Sequence, residues 1–255
     1  MTEKIFFVGV GPGDPELLTI KAMNKIKTAE VLFWTDSLIP EKILNFSNKD
    51  SEKIKTSSLT LETITSLMIE KWQKGKKVLG LHDGDPCLYG AIAEQIAILR
   101  KANIDIEVIP GISAFQVAAA YHQTELTIPQ ITQTIILSRS GGRTGMPNKE
   151  SLEDLAKHQS SLCLYLSARH VKKTQETLLE FYPPNTKVIV GYRVSWEDGW
   201  TKIIELKDME EYSRKKELFR TTIYIISPAI RTLKETSNLY DPNYHHLFRK
   251  KQSNS

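Results

Sequence analysis

Apolar runs and polar, helix-spaced stretches alternate along the first half of the chain. The apolar runs predict strands over Lys4–Val10, Glu30–Thr35, Lys76–Leu81 and Asp105–Ile109. The stretches between them predict helices over Pro15–Ala29, Leu61–Lys74 and Leu88–Ala102. Within the first of these helices, one apolar stripe is formed by Leu18, Ala22, Ile26 and Ala29. Such alternation predicts an α/β fold, with a mostly parallel sheet and helices on its faces.

From about Gln123 onward the pattern changes and predicts a second α/β domain. Its strands are expected over Gln133–Arg139, Ser161–Ser167, Lys187–Val194, Thr201–Leu206 and Thr222–Ser227, and its helices over Lys149–His158 and Arg169–Phe181. The spacing around Trp196–Trp200 predicts an antiparallel hairpin. We therefore expect domains at 1–121 and 131–230, joined by a linker over Tyr121–Ile131 and followed by a peripheral polar tail at 231–255.

Composition and charge narrow the class of protein. The formal net charge of +4 is small for 255 residues and includes a basic segment, Arg249–Lys251, so it predicts no nucleic-acid partner. The two cysteines, Cys87 and Cys163, lack the paired spacing of a zinc site, and we expect no bound metal and a reduced, cytoplasmic protein. No apolar stretch approaches the roughly 18 residues that span a bilayer, so no membrane partner is expected.

Three turns rich in Gly, Pro and Asp follow predicted strands of the first domain. They are Gly9–Pro15, His82–Pro86 and Pro110–Ser113. Glycine at a strand end lets the backbone pass close to a ligand. Asp14 and Asp85 each precede a proline, which predicts a helix N-cap followed by a first helical proline. Because strand-end loops of parallel sheets converge on one edge, we expect the three turns to meet there.

The charge of these turns favours one kind of ligand. They contain Asp14, Asp83 and Asp85 but no lysine. That is the wrong sign for cradling phosphates and the right sign for hydroxyls, an amine or a sulfonium. The turns therefore favour S-adenosylmethionine over a nucleotide.

Two nucleotide-binding motifs are alternatives to this interpretation. The first turn opens a helix, and Asp36 closes the next strand where a ribose-binding acid of a dinucleotide site would lie. That motif requires a third glycine where the chain has Asp14, and Pro12 alters the turn itself. A phosphate-binding P-loop is excluded because no Gly-Lys-Ser or Gly-Lys-Thr ends the turn.

The motifs carry a family resemblance over about residues 4–230. In order and spacing, Gly9–Asp14, Gly84–Gly90 and Val108–Ser113 resemble the tetrapyrrole methylases. Further segments are most similar to the branch that methylates precorrin-4 at ring carbon 11; these are Trp34–Pro40, Leu81–Gln95, Gln133–Arg139, Gly142–Thr144 and Tyr192–Trp196.

This resemblance implies two α/β domains with S-adenosylmethionine in the cleft between them, a tetrapyrrole substrate and a homodimer. By position, the cofactor-binding residues are expected to be Pro12, Asp83, Gly84, Asp85, Leu88, Ser113, Ala114, Leu166, Val194 and Thr222. The chain departs from the common pattern at Asp83, where a smaller or neutral residue is usual, and at Ser227, where glycine is expected.

A corrin precursor carries many carboxylates, so arginines are the expected substrate ligands: Arg139, Arg143 and Arg193. The sulfonium is already activated, and a base is optional; the candidates are His82, Asp36 and Glu94. Two alternatives stay open. One is a methylase of the same fold acting on another tetrapyrrole or on RNA, and the other is a non-catalytic corrin- or nucleotide-binding module. The sequence also leaves open whether the substrate carries cobalt.

Overall fold

The computed structural model describes residues 4–141 and 145–230. The chain forms two compact units. Among the described residues, the first contains 4–118 together with Gly191–Thr201, and the second contains 119–141, 145–190 and 202–230. The predicted domains 1–121 and 131–230 assign Gly191–Thr201 to the second domain, whereas this segment groups with the first unit. The predicted tail, 231–255, lies outside the described residues.

A five-stranded parallel sheet forms the centre of the first unit. Its strands are β1 (Ile5–Gly9), β2 (Val31–Trp34), β3 (Glu52–Lys55), β4 (Val78–His82) and β5 (Ile106–Ile109). Their order is β3-β2-β4-β1-β5, and every neighbouring pair is parallel, as predicted. The edge strand β3 was not predicted, because its mostly exposed Glu-Lys-Ile-Lys sequence contains no apolar run.

Four helices accompany this sheet: α1 (Ile20–Thr28), α2 (Leu61–Gln73), α3 (Ile92–Lys101) and α4 (Ala114–Tyr121), with short 3₁₀ helices at Pro15–Leu17 and Glu41–Phe46. The predicted helix from Pro15 is divided in two. Asp14 caps the 3₁₀ turn by accepting from the Glu16 N–H, and Thr19 then caps α1 by accepting from the Ala22 N–H. The predicted start of the third helix at Leu88 is wrong, since α3 begins at Ile92.

Strand alternation places apolar residues on both faces of the sheet. On one face, Phe6 and Val8 of β1 belong to a buried cluster that includes Ala22 and Ile26 of α1. On the other face, Ile5 and Phe7 pack in a cluster with Met68 of α2 and Leu99 of α3. The predicted apolar stripe of the first helix is buried in full. Because both faces of the sheet are buried, the strands have nearly continuous apolar sequences.

The second unit is built on a mixed five-stranded sheet. Its strands are β6 (Ile135–Arg139), β7 (Ser161–Tyr165), β8 (Lys187–Tyr192), β9 (Trp200–Glu205) and β10 (Thr222–Ile226), in the order β6-β7-β10-β8-β9. β6 runs parallel to β7, and β10 antiparallel to it. The Leu206 N–H donates to the Thr186 carbonyl (2.9 Å), which sets the end of β9 beside the start of β8, as in the predicted hairpin.

Its helices are α5 (Leu152–Ala156), α6 (Val171–Leu179) and α7 (Met209–Lys215), with 3₁₀ helices at Asn148–Glu150, Ala168–His170 and Leu206–Asp208. α7 was not predicted. The unusual Ser227 lies in a buried hydroxyl pair: its Oγ is 2.6 Å from Ser161 Oγ and accepts from the Ala229 N–H. No helix among the residues the structure describes is long and apolar enough to cross a membrane.

Candidate functional site

The three Gly-rich turns meet at the carboxyl edge of the parallel sheet. The Val10 N–H donates to the His82 carbonyl at 2.9 Å. Gly11 and Gly84 then form an isolated antiparallel bridge, with N···O distances of 3.2 and 2.9 Å. The bridge continues the contact between β1 and β4 beyond the ends of both strands, so the first and second turns form one backbone framework.

Close backbone packing explains the glycines in this framework. A Cβ atom on Gly111 would lie 2.1 Å from the Gly84 carbonyl oxygen and 2.9 Å from Gly9 Cα. A Cβ on Gly9 would lie 2.5 Å from the Gly111 nitrogen. These distances are too short for any side chain, and the atoms met are backbone atoms. The glycines are therefore required by contacts among the three turns themselves.

Asp85 ties the second turn to the third. Its Oδ1 accepts from the Cys87 N–H (2.8 Å), and its Oδ2 accepts from the Gly111 N–H (2.9 Å). The predicted helix N-cap role of Asp85 is wrong, because Pro86–Tyr89 form a turn and α3 begins later, after Ala91 in the left-handed region. The carboxylate is recruited by an N–H group 26 residues away, which local sequence spacing does not reveal.

The other two acids of the turns differ in how far they are engaged. Asp14 accepts from the Glu16 N–H at 2.9 Å and so serves the chain itself. Asp83 forms no ion pair with any residue that the structure describes. Its side chain reaches solvent but is densely surrounded by protein, and this desolvation raises its pKa above the ordinary value. Asp83 is thus the carboxylate that would gain most from a cationic ligand.

His82 ends β4 at the same edge. Its ring lies 5.4 Å from the Phe7 ring in an edge-on arrangement. Desolvation lowers the pKa of His82 to about 4, although a hydrogen bond with the Gly90 backbone favours the protonated ring. At neutral pH the imidazole is therefore uncharged, which suits a residue that orients the second turn.

This pKa predicts how stability depends on pH. Between pH 6.5 and about 4 the unfolded chain binds a proton at His82 that the folded chain does not bind, so acidification lowers the free energy of unfolding, by on the order of 2–3 kcal/mol. His82→Asn is expected to remove this part of the slope in urea unfolding measured from pH 7 to 4. The exposed His158→Asn should keep the wild-type slope. Equal slopes in all three proteins would contradict the assignment.

Of the other two base candidates, Asp36 lies near this edge of the sheet and Glu94 lies on α3. β2 ends beside β4, with Trp34 opposite Leu81, and Asp36 follows two residues after Trp34. A hydrogen bond from the Ser57 side chain lowers the pKa of Asp36, so it is a carboxylate at neutral pH. Its Oδ1 is buried without a hydrogen-bond partner among the residues described. Glu94 is exposed in the first turn of α3.

A loop that was not predicted as part of the site packs on the first turn. We call Arg193–Gly199, between β8 and β9, the Trp196 loop. Trp196 Nε1 donates to the Pro12 carbonyl at 3.0 Å, and Ser195 Oγ accepts from the Asp14 N–H at 2.9 Å. A Cβ on Gly13 would lie 2.5 Å from Trp196 Cδ1. The signal in the sequence is the Ser195-Trp196 pair, which belongs to the Tyr192–Trp196 segment of the family resemblance.

The remaining predicted cofactor positions occupy several settings. In the first unit, Leu88 is half-buried, and Ser113 is buried with its N–H donating to Gln116 Oε1 at 2.9 Å. Ala114 begins α4. Val194 is buried within the Trp196 loop.

In the second unit, Leu166 follows β7 with a positive φ of 54° and is 67% exposed, an unusual state for a large apolar residue. Thr222 is buried, and its hydroxyl donates to the Arg220 carbonyl. Their cofactor roles stay predictions.

The predicted substrate arginines also differ. Arg139 ends β6 half-buried, and its Nη2 donates to the Gly145 carbonyl. Arg143 lies outside the described residues. Arg193 is already engaged: its Nη1 pairs with Asp198, and its guanidinium carbon is 4.9 Å from the Trp196 ring centroid. This environment favours a structural task for Arg193.

Comparison with protein families gives a match over residues 4–210 to the model for Tetrapyrrole (Corrin/Porphyrin) Methylases. A cobalt-precorrin-4 C(11)-methyltransferase of Methanocaldococcus jannaschii is 42% identical over 251 residues, covering 97% of this chain and 96% of the relative. A precorrin-4 C(11)-methyltransferase of Pseudomonas aeruginosa is 36% identical, covering 96% of this chain and 98% of the relative.

Among solved structures, the chain is similar to the X-ray structure of a cobalamin biosynthetic enzyme, cobalt precorrin-4 methyltransferase. The TM-score is 0.87 at 35% identity, and the match covers 90% of this chain and 96% of that one. This likeness confirms the predicted α/β fold class.

Proposed function

Because the chain belongs to the tetrapyrrole (corrin/porphyrin) methylase family, we propose that it transfers a methyl group from S-adenosylmethionine to carbon 11 of precorrin-4 or cobalt-precorrin-4 in cobalamin biosynthesis. The observation that carries this proposal is similarity over nearly the whole chain to relatives named for that reaction. The acidic, lysine-free turns at the sheet edge support it independently, since they disfavour phosphate ligands.

The turns fit a cationic methyl donor. S-adenosylmethionine supplies, when bound, a methyl group on a positively charged sulfur. From the first unit, we propose that it is held by Pro12, Asp83, Gly84, Asp85, Leu88, Ser113, Ala114 and Val194. Among the turn acids, we propose that Asp83 faces the positive charge, because its carboxylate bonds to its own backbone N–H, whereas Asp14 and Asp85 accept from N–H groups of other residues.

We propose that the residues near the sheet edge position the reactants and do not activate them chemically. A carboxylate with a lowered pKa, such as Asp36, accepts hydrogen bonds well but takes up protons poorly. His82 is uncharged at neutral pH and serves to orient the second turn. Since the donor is already activated, we propose that the chain mainly aligns the reacting atoms and excludes water. A strong base is not required, and Glu94 is the weakest of the three candidates because it is exposed on α3.

We propose that Arg139 and Arg143 contact carboxylates of the substrate. Arg139 lies at the end of β6, where a planar guanidinium can pair with two carboxylate oxygens. Its hydrogen bond to the Gly145 carbonyl orients the side chain and leaves other N–H donors for a ligand.

Arg139→Ala is expected to raise the KM for the precursor about tenfold or more, because a charge-assisted contact is worth roughly 1.5–3 kcal/mol. The Kd for S-adenosylhomocysteine should change less than about twofold. Arg139→Lys should restore only part of the loss, since an ammonium lacks the planar fork. Arg100→Ala, an exposed change on α3, is the matched control. Normal methylation by Arg139→Ala at limiting precursor would remove Arg139 from the substrate site.

The proposed activity is tested directly with purified protein and methyl-labelled S-adenosylmethionine. Precorrin-4, cobalt-precorrin-4 and uroporphyrinogen III are offered separately, and the labelled product is examined by NMR. A new methyl on carbon 11 of either precorrin is the expected result. Whether the protein prefers precorrin-4 or cobalt-precorrin-4 shows whether its substrate contains cobalt. Methylation of uroporphyrinogen alone would replace the proposal by another reaction of the same family.

Two finer statements belong to the same proposal: a homodimer and a cytoplasmic location. The homodimer is what the resemblance to the tetrapyrrole methylases implies. Sedimentation of the purified protein tests the homodimer, and fractionation of cells tests the cytoplasmic location.

A further inference from the structure

We propose that Trp196 and Ser195 are positioning residues for the methyl donor, which hold the Gly11–Asp14 turn in its binding conformation. This inference rests on the proposed function for the identity of the ligand. The residues themselves are assigned from their contacts, since neither was among the positions expected to touch the cofactor. Trp196 and Ser195 bind the two ends of one short backbone segment.

The first turn requires an external restraint. Gly11 and Gly13 flank Pro12 with φ angles of 72° and 153°, conformations that only glycine adopts readily. A segment with two such glycines has many accessible conformations when free, and fixing one of them costs conformational entropy. Within the turn, Pro12 has no N–H group, so its carbonyl is the one backbone group through which it can be held by a hydrogen bond.

The Trp196 loop supplies that restraint at both ends of the turn. The Trp196 indole N–H donates to the Pro12 carbonyl, and the Ser195 hydroxyl oxygen accepts from the Asp14 N–H. The absence of a side chain at Gly13 lets the indole ring lie against the turn, because a Cβ there would overlap Trp196 Cδ1. The loop therefore selects one turn conformation by two hydrogen bonds and one steric contact.

The loop is itself braced, which allows it to act as a fixed support. The backbone N–H of Trp196 donates to the Arg193 carbonyl (2.9 Å), and the backbone N–H of Gly199 donates to the Trp196 carbonyl (3.0 Å). The Arg193 guanidinium lies near the rings of Trp196 and Tyr192 and pairs with Asp198. The role inferred for Arg193 is thus to support Trp196, in place of the predicted contact with substrate.

The functional consequence follows from populations. If only a fraction of the free protein has the turn in its binding-competent conformation, the apparent affinity equals the intrinsic affinity multiplied by that fraction. Loss of one supporting hydrogen bond, worth roughly 0.5–1.5 kcal/mol, is expected to weaken binding about twofold to tenfold. The chemical step should be unaffected once the donor is bound.

The test uses the full chain with Trp196→Phe, which keeps an aromatic ring and removes the N–H donor, and with Ser195→Ala. Calorimetry with S-adenosylhomocysteine should show the weakening in both variants. The KM for S-adenosylmethionine should rise by the same factor, with kcat and the precursor KM changed less than about twofold. Because the two contacts stabilise the same turn conformation, the double variant should bind more weakly than either single variant. Trp72→Phe on α2 is the matched control and should bind as wild type.

The outcomes separate this inference from the proposed function. If wild-type protein fails to bind S-adenosylhomocysteine, the proposed function falls and the inference falls with it. If wild type binds and both loop variants bind equally well, the inference alone is wrong. A loss of kcat with unchanged affinity would also overturn it, since the loop would then act on the reaction itself. Should Trp196→Phe fail to fold, as judged by thermal unfolding, Ser195→Ala decides the result.

Discussion

Replacing Gly111 with alanine is expected to abolish measurable binding of S-adenosylhomocysteine and to lower the free energy of unfolding by about 3 kcal/mol. The added Cβ would lie 2.1 Å from the Gly84 carbonyl oxygen, and the Gly9 backbone closes the other side. Neither neighbour can rotate away as a side chain could. The third turn must therefore move out of contact with the first and second turns, and the shared framework separates.

The control for this prediction is Gly75→Ala. Gly75, unlike Gly111, has a positive φ of 75°, and no atom lies within 4 Å of its Cβ position. That variant should lose only the roughly 1 kcal/mol of backbone strain and bind the ligand normally. Urea unfolding and calorimetry measure the two effects. A Gly111→Ala protein with wild-type affinity would show that contact among the three turns is not needed for binding.

Removing the Asp85 carboxylate should have the next largest effect. Asp85→Ala leaves the Cys87 and Gly111 N–H groups without their acceptor, and hydrogen bonds to a charged group are worth roughly 1.5–3 kcal/mol each. We expect a loss of about 2–4 kcal/mol in the free energy of unfolding. The affinity for S-adenosylhomocysteine should fall at least about tenfold, which corresponds to roughly 1.4 kcal/mol. Asp85→Asn should recover part of both losses, because its carbonyl oxygen can still accept one of the two bonds.

Asp105→Ala provides the comparison for Asp85. Asp105 is an exposed acid just before β5, at the opposite end of that strand from the third turn. It changes the net charge by the same amount, so any general electrostatic effect appears in both variants. The prediction is wrong if Asp85→Ala and Asp105→Ala bind the ligand with the same affinity as wild type.

The meeting of the turns could be predicted because local patterns specify it. Continuous apolar strands such as Phe6–Val8 indicate a buried parallel sheet, and parallel strands bring their carboxyl ends to one edge. The glycines after β1, β4 and β5 then lie together by topology alone. The hydroxyl at Ser227 departs from the family pattern, and the structure pairs it with Ser161.

The parts that were missed depend on distant partners. Asp85 followed by a proline has the local signature of a helix N-cap, but no helix begins there, and besides the nearby Cys87 N–H its carboxylate accepts from the distant Gly111 N–H. Tyr89 and Ala91 take positive φ angles before α3 begins, and no local signal requires that of either residue. The substrate contact of Arg193 stays a prediction, while its ring contacts and its pairing with Asp198 could not be predicted, because they form only in the folded loop. Local spacing does not encode such contacts.

The position of the Trp196 loop in the chain also bears on how the protein is made. Pro12 and Trp196 are 184 residues apart, and Asp14 and Ser195 are 181 apart. Contacts of such sequence separation close late in folding, because the chain between them must first be ordered or the loop entropy overcome. During synthesis the first turn emerges from the ribosome long before its support exists. A nascent chain as far as Tyr121 thus carries all three Gly-rich turns but has not yet made the residues that fix the first of them.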